Sequence, residues 1–128
     1  LVGNHDISLI FLNSIFSLTK DKFEKTDTWE FWEHLLPIFN QNTNNQFKND
    51  LLTDSIQKFN LLKQEKAEIS NFQIIGCWFS CLLNIHFINS VIYLQIFHDI
   101  IKLDHLKEFD IISVVYLSLL ISGKTLDD

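Results

Sequence analysis

A chain of 128 residues is the size of one domain, and 47% hydrophobic residues, with 12 Phe among them, provide ample material for a core. Three Gly and one Pro are too few for the many tight turns of an all-β fold. Arg is absent, and ten Lys against 16 acids leave a net charge of −6, which argues against a nucleic-acid groove or an anionic membrane surface as partner.

In chain order, the first helix is predicted over 4–20, capped by Asn4 or Asp6, with Ile7, Ile10, Phe11, Ser14 and Leu18 at helical spacing. The alternating charges of 20–25 read as a solvated helix end and turn. A second helix starts at Thr26-Asp27-Thr28, where Asp27 and Glu30 form an Asp version of the capping box. Trp29, Trp32, Leu35, Leu36 and Phe39 fall on one face, and Pro37 ends or kinks the helix. Such a face is either a core stripe or a partly exposed aromatic surface that docks a partner.

Residues 40–49, NQNTNNQFKN, hold five Asn and two Gln and read as a loop. A third helix is predicted over 50–67, capped by Asn49 or Asp50, with Leu52, Ile56, Phe59 and Leu62 or Lys63 on its apolar face. Then comes the stretch on which the chain is organised: no charged residue stands between Glu68 and Asp99. Residues 72–88 approach the length of a membrane span, but Gln73, Ser80, Asn84 and His86 are expensive in lipid, so the expectation is a buried central helix. Gln73, Ser80 and Asn84 form a narrow polar stripe along it.

Asn89-Ser90 reads as a stop and restart before a helix over 91–103, and 104–110 is a short link. The last apolar segment, IISVVYLSLLIS, has strand-favouring residues but no second strand to pair with. Asp110 as N-cap and Gly123 at the C′ position make it a helix. The predicted architecture is all-α, a single domain over 1–128 of five or six helices bundled around a buried central helix.

Cys77 and Cys81 stand one helical turn apart and read as two small buried hydrophobes, the alternative being a redox pair or, with His86, part of a metal site. The usage is not that of a secreted disulfide framework and points to an intracellular, reducing compartment. His5-Asp6 and His98-Asp99 are His-Asp pairs, and His86, His98, Asp99 and Asp127 would be the nominal ligands of an HD-type metal-dependent phosphohydrolase-like enzyme, although their spacing is wrong for it. No phosphate loop, G-x-S-x-G or H-E-x-x-H occurs. No cofactor is implied and no catalytic residue is assigned.

A helical module of this length, rich in Phe and Leu and built on a long central helix, resembles the HEPN superfamily across its whole length. In particular it resembles the divergent HEPN domain that ends the PIN-domain endoribonucleases of perinuclear mRNA quality control. Catalytic HEPN ribonucleases carry an Arg a few residues before a His, whereas TWEFWE precedes His34 and SCLLNI precedes His86. The resemblance therefore implies a non-catalytic member, nuclear in location, that dimerises or holds a protein partner while another domain cuts RNA. The Bcl-2-like regulators also bury a central helix, but their Asn-Trp-Gly-Arg-like stretch has no equivalent here.

The sequence begins Leu-Val-Gly, contains no Met and shows no signal-peptide pattern, so the chain is expected to be part of a longer protein. The expected function is that of a helical interaction or dimerisation module. More helices carry wide apolar faces than one small core can cover, and the surplus is greatest around Trp29 and Trp32 and in the last helix at Val115 and Leu119. Those four residues are the candidate interface for a protein partner or a homodimer.

Overall fold

The computed structural model describes residues 26–39 and 46–127, together with Ile10, Asn13, Ser14, Phe16 and Ser17. It is all-α. Five helices follow one another: α1 Thr26–Phe39, α2 Gln46–Gln64, α3 Ile69–Asn84, α4 Ser90–Ile101 and α5 Glu108–Asp127, and no strand occurs among the described residues. Ile10, Asn13, Ser14, Phe16 and Ser17, within the span predicted for a first helix, are helical too, and Ser14 Oγ donates to the Ile10 carbonyl at 3.0 Å. The capping residues Asn4 and Asp6 and the charge cluster of 20–25 lie outside the described residues.

The chain divides into two compact units, Leu1–Asp54 and Ser55–Asp128, and the division falls within the continuous helix α2. In the first unit Trp32 and Leu36 are fully buried on α1. The Trp32 ring meets Phe16 at 6.5 Å between centroids and Phe31 edge-on at 5.6 Å, the tilted geometries that aromatic quadrupoles favour. The helix begins at Thr26, so Asp27 lies inside its first turn and not at the cap. Pro37 lies inside the helix, in the last turn of the described span.

Helix α2 begins four residues before the predicted start, taking QFKN out of the Asn-rich loop. Its buried positions are Phe47, Leu51, Ser55 and Phe59, one every four residues. Phe47 is the first of that stripe, and burying a Phe adds about 1.5–3 kcal/mol in favour of starting the helix there. Leu52 and Ile56, expected on the inner face, are only half-buried because the stripe is centred one residue earlier.

Both α2 and α3 stop short of their predicted ends, for a common reason. After α2, Lys66 takes a left-handed backbone (φ 51°), its N–H bonds the Lys63 carbonyl, and the Ala67 N–H reaches back to Leu62 at 3.0 Å. After α3, His86 does the same (φ 63°), bonding Leu83, while the Phe87 N–H reaches Leu82 at 2.9 Å. These are Schellman caps in which Lys and His occupy the position usually given to Gly. The central helix therefore ends at Asn84, four residues before the predicted Ile88.

Helix α3 is the core of the second unit. Every residue from Ile75 to Leu83 is buried, which a helix achieves only when other elements cover all its sides. Phe59 of α2 meets Phe72 and Phe79 edge-on, each at 6.3 Å, and Trp78 Nε1 donates to Ser55 Oγ at 2.8 Å. Asn89 caps α4 by accepting from the Ile92 N–H at 2.9 Å, as the restart at Asn89-Ser90 predicts. Among the described residues, no helix is long and apolar enough to cross a membrane.

Helix α5 starts at Glu108, placing Asp110 within the first turn and not at the cap. It runs past Gly123 to Asp127, so Gly123 is interior and does not end it. A Gly inside a helix is unfavourable by only about 1 kcal/mol relative to Ala and need not terminate it.

Candidate interaction surface

The polar stripe of α3 faces α5. Gln73 Nε2 donates to Ser113 Oγ at 3.3 Å, Ser80 Oγ to the Ser118 carbonyl at 3.0 Å, and Asn84 Nδ2 to the Ile121 carbonyl at 3.1 Å. Three polar side chains spaced along one helix thus fix the register of the other. Between them the backbones come close: a Cβ on Gly76 would stand 2.6 Å from Ser118 Oγ, nearer than real Cβ contacts. Glycine is needed here for close approach, not for its backbone freedom.

Tyr93 of α4 closes the seam. Its hydroxyl lies 2.7 Å from Ser80 Oγ, 3.0 Å from Ser122 Oγ and 3.2 Å from the Ser118 carbonyl. Burial pushes the Tyr93 phenol above its ordinary pKa, against the hydrogen bonds with Ser122 and Ser80, which pull it down. Ser118 Oγ is buried and has no hydrogen-bond partner, a cost to the fold at the tightest point of the seam.

This seam determines what α5 shows to the outside. Ser118 and Ser122 are buried with Val114, at i, i+4 and i+8, because only small side chains fit over Gly76 and Ser80. The large apolar residues Phe109, Ile112, Tyr116, Leu119 and Leu120 are thereby turned outward and exposed. The buried line of α5 is thus one Val and two serines, while its largest hydrophobes face outward, unlike the apolar inner stripe of an ordinary surface helix. Phe109, Ile112, Tyr116 and Leu119 fall at i, i+3, i+7 and i+10, the a and d positions of a heptad. Helix α4 has a lesser stripe of exposed Val91, Leu94 and Ile101, interrupted by exposed His98.

Of the four residues predicted for an interface, Leu119 is exposed, Val115 is half-buried, and Trp32 is fully buried, so its ring is not available to a partner in this conformation. The side chain of Trp29 lies outside the described ones. On α1 it is Phe31 and Ile38 that are exposed, beside an open hollow lined by Glu30, Phe31, His34, Leu35 and Ile38. Sequence reasoning missed Phe109, Ile112, Tyr116 and Leu120. The signal was present: serines at 113, 118 and 122 are small residues that could line a close helix contact, leaving the heptad hydrophobes on the other side.

The residues with chemical potential are scattered. Cys77 and Cys81 are buried in α3, whereas His86 is exposed in the turn after it. His98 is exposed in the last turn of α4, and Asp99 accepts from Lys63 Nζ at 3.3 Å and from Gln95 Nε2 at 3.1 Å. His34 Nδ1 sits 2.6 Å from the Glu30 carbonyl, and His105 Nε2 2.8 Å from that of Ala67, its ring packed on Phe72. His5 and the side chain of Asp127 lie outside the described residues. Among the described residues, no three of His, Cys, Asp or Glu converge so as to hold a metal ion.

No family model, curated protein or solved structure matches this chain.

Proposed function

We propose that this chain is a non-catalytic helical interaction or dimerisation module of a larger intracellular protein, and that it docks through the outward apolar face of α5. The exposed apolar stripe of that helix carries the proposal. Five large hydrophobes on one exposed helical face are costly to leave in water, and such contiguous patches mark contact sites. Tyr116 at the centre of the stripe is of the residue type that dominates binding energies. The scattered His, Cys and acidic residues supply no comparable case for a reaction.

Within this reading, the resemblance to non-catalytic HEPN domains suggests a parent protein that processes RNA in the nucleus, with this module holding the assembly together. A photoreactive amino acid at position 116 of the full-length protein tests the docking face, with exposed Lys107 as an off-stripe control. Illumination in cells is expected to yield a protein adduct from position 116 and none from position 107. Absence of any protein adduct at 116 would contradict the proposal.

A further inference from the structure

We infer that the occupant of the α5 face is a second copy of this chain, its own α5 lying antiparallel across a two-fold axis. This rests on the interaction-module reading above and adds the partner and the geometry. From Ile111 to Ser122 the helix carries no charge, and Glu108 and Asp110 flank only the first residue of the stripe, Phe109, so a charged partner segment would find a complement at one end alone. An apolar stripe is, however, complementary to itself, which a two-fold interface requires.

The area is sufficient. Phe109 is 78% exposed, Ile112 57%, Tyr116 67%, Leu119 41% and Leu120 65%. Taking about 200 Å² for a large residue, the stripe offers at most about 600 Å² per copy, and two fully covered copies reach about the 1,200 Å² at which stable interfaces begin.

Direction follows from charge. Glu108 and Asp110 occupy the first turn of α5, where they complement the positive end of the helix dipole. A parallel pair would gather four carboxylates and two like dipole ends at one place. An antiparallel pair separates the carboxylates and sets each dipole against its opposite. The a and d positions then meet in mixed layers: Phe109 opposite Leu119 of the second copy, and Ile112 opposite Tyr116 of the second copy.

Cysteine pairing tests this on purified protein. Phe109→Cys and Leu119→Cys replace exposed side chains, and an unchanged helical circular dichroism spectrum and melting temperature confirm that each variant folds. Positions 109 and 119 are about 15 Å apart along a helix, so the two alignments are well resolved by a disulfide's short reach. Under mild oxidation, an equimolar mixture of the two variants is expected to form a covalent dimer at least tenfold faster than either variant alone. Self-linking of Phe109→Cys at the rate of the mixture would mean parallel pairing and overturn the inference. No linking in any sample, with a monomer mass at every concentration and a foreign protein on the position-116 photoadduct, would overturn the second copy while leaving the module reading standing. No linking together with no photoadduct would remove both.

Discussion

Gly76→Ala is the sharpest perturbation of the seam between α3 and α5. In an open helix the change would stabilise by about 1 kcal/mol, because Ala is the better helix former. Here the added methyl would lie 2.6 Å from Ser118 Oγ and 3.5 Å from Val114 Cγ1, so Ser118 must move within a packed core. Overpacking of this kind costs about 1–3 kcal/mol, which leaves a net loss of up to about 2 kcal/mol. Ser118→Ala removes the obstructing atom, which is buried and makes no hydrogen bond, so alone it should be neutral or stabilising by up to about 1 kcal/mol. In the double variant the methyl has room and the helix gain returns. Urea denaturation of the four proteins therefore should give a coupling energy of at least about 1 kcal/mol, favouring the double variant. Additivity within about 0.5 kcal/mol, or a Gly76→Ala protein more stable than the parent, would refute the close approach of the two helices.

Cavity-forming changes in the central helix, Phe79→Ala and Leu83→Ala, are expected to cost about 2–5 kcal/mol each in denaturation, since both side chains are buried; losses under about 0.5 kcal/mol at both would show a helix at the surface. Lys66→Gly and His86→Gly each relieve a left-handed residue and should stabilise by about 0.5–1 kcal/mol, whereas destabilisation would show that these Schellman caps do not form. Tyr93 is held neutral by burial, its folded pKa lying above the unfolded value of 10.0. Its contribution is thus complete below pH 10 and lost as pH rises from there toward the folded value, and Tyr93→Phe should flatten that part of the alkaline stability curve. An identical alkaline decline in the Phe variant would place the Tyr93 hydroxyl in water.

Much of the fold is legible in the sequence because its largest signals are local. The uncharged run after Glu68 predicts the buried central helix, and Asn89 predicts the start of α4, since an N-cap side chain acts on its own next turn. Helix ends are less legible where the chain departs from local preference. Lys66 and His86 take a backbone conformation that Gly usually marks, while Gly123, which looks like a terminator, is interior to α5. Phe47 is hidden among Asn and Gln, and its burial depends on the folded structure and not on its neighbours in sequence.

The same distinction applies to the candidate site. The polar stripe of Gln73, Ser80 and Asn84 is readable from spacing, but that it pairs with Ser113, Ser118 and Ile121 depends on which helix lies beside it. That pairing decides which side of α5 is outward. Spacing alone leaves Trp32 open between a core stripe and a docking surface, and a fully buried ring against Phe16 and Phe31 in its own unit is core. The heptad of Phe109, Ile112, Tyr116 and Leu119 looks like a core stripe until the serines are seen to occupy the inner side.

The chain contains two tyrosines, and they report directly on the two sides of this arrangement. Tyr93 lies fully buried in the serine seam, and Tyr116 stands in the middle of the outward stripe. Hydroxyl-radical footprinting over a wide range of protein concentration reads both at once. Tyr93 is expected to be protected throughout, with Tyr116 oxidised readily in dilute solution and protected as concentration rises. Tyr116 oxidised equally at every concentration would contradict burial of the α5 face against a second copy, and a reactive Tyr93 would contradict the seam that turns that face outward.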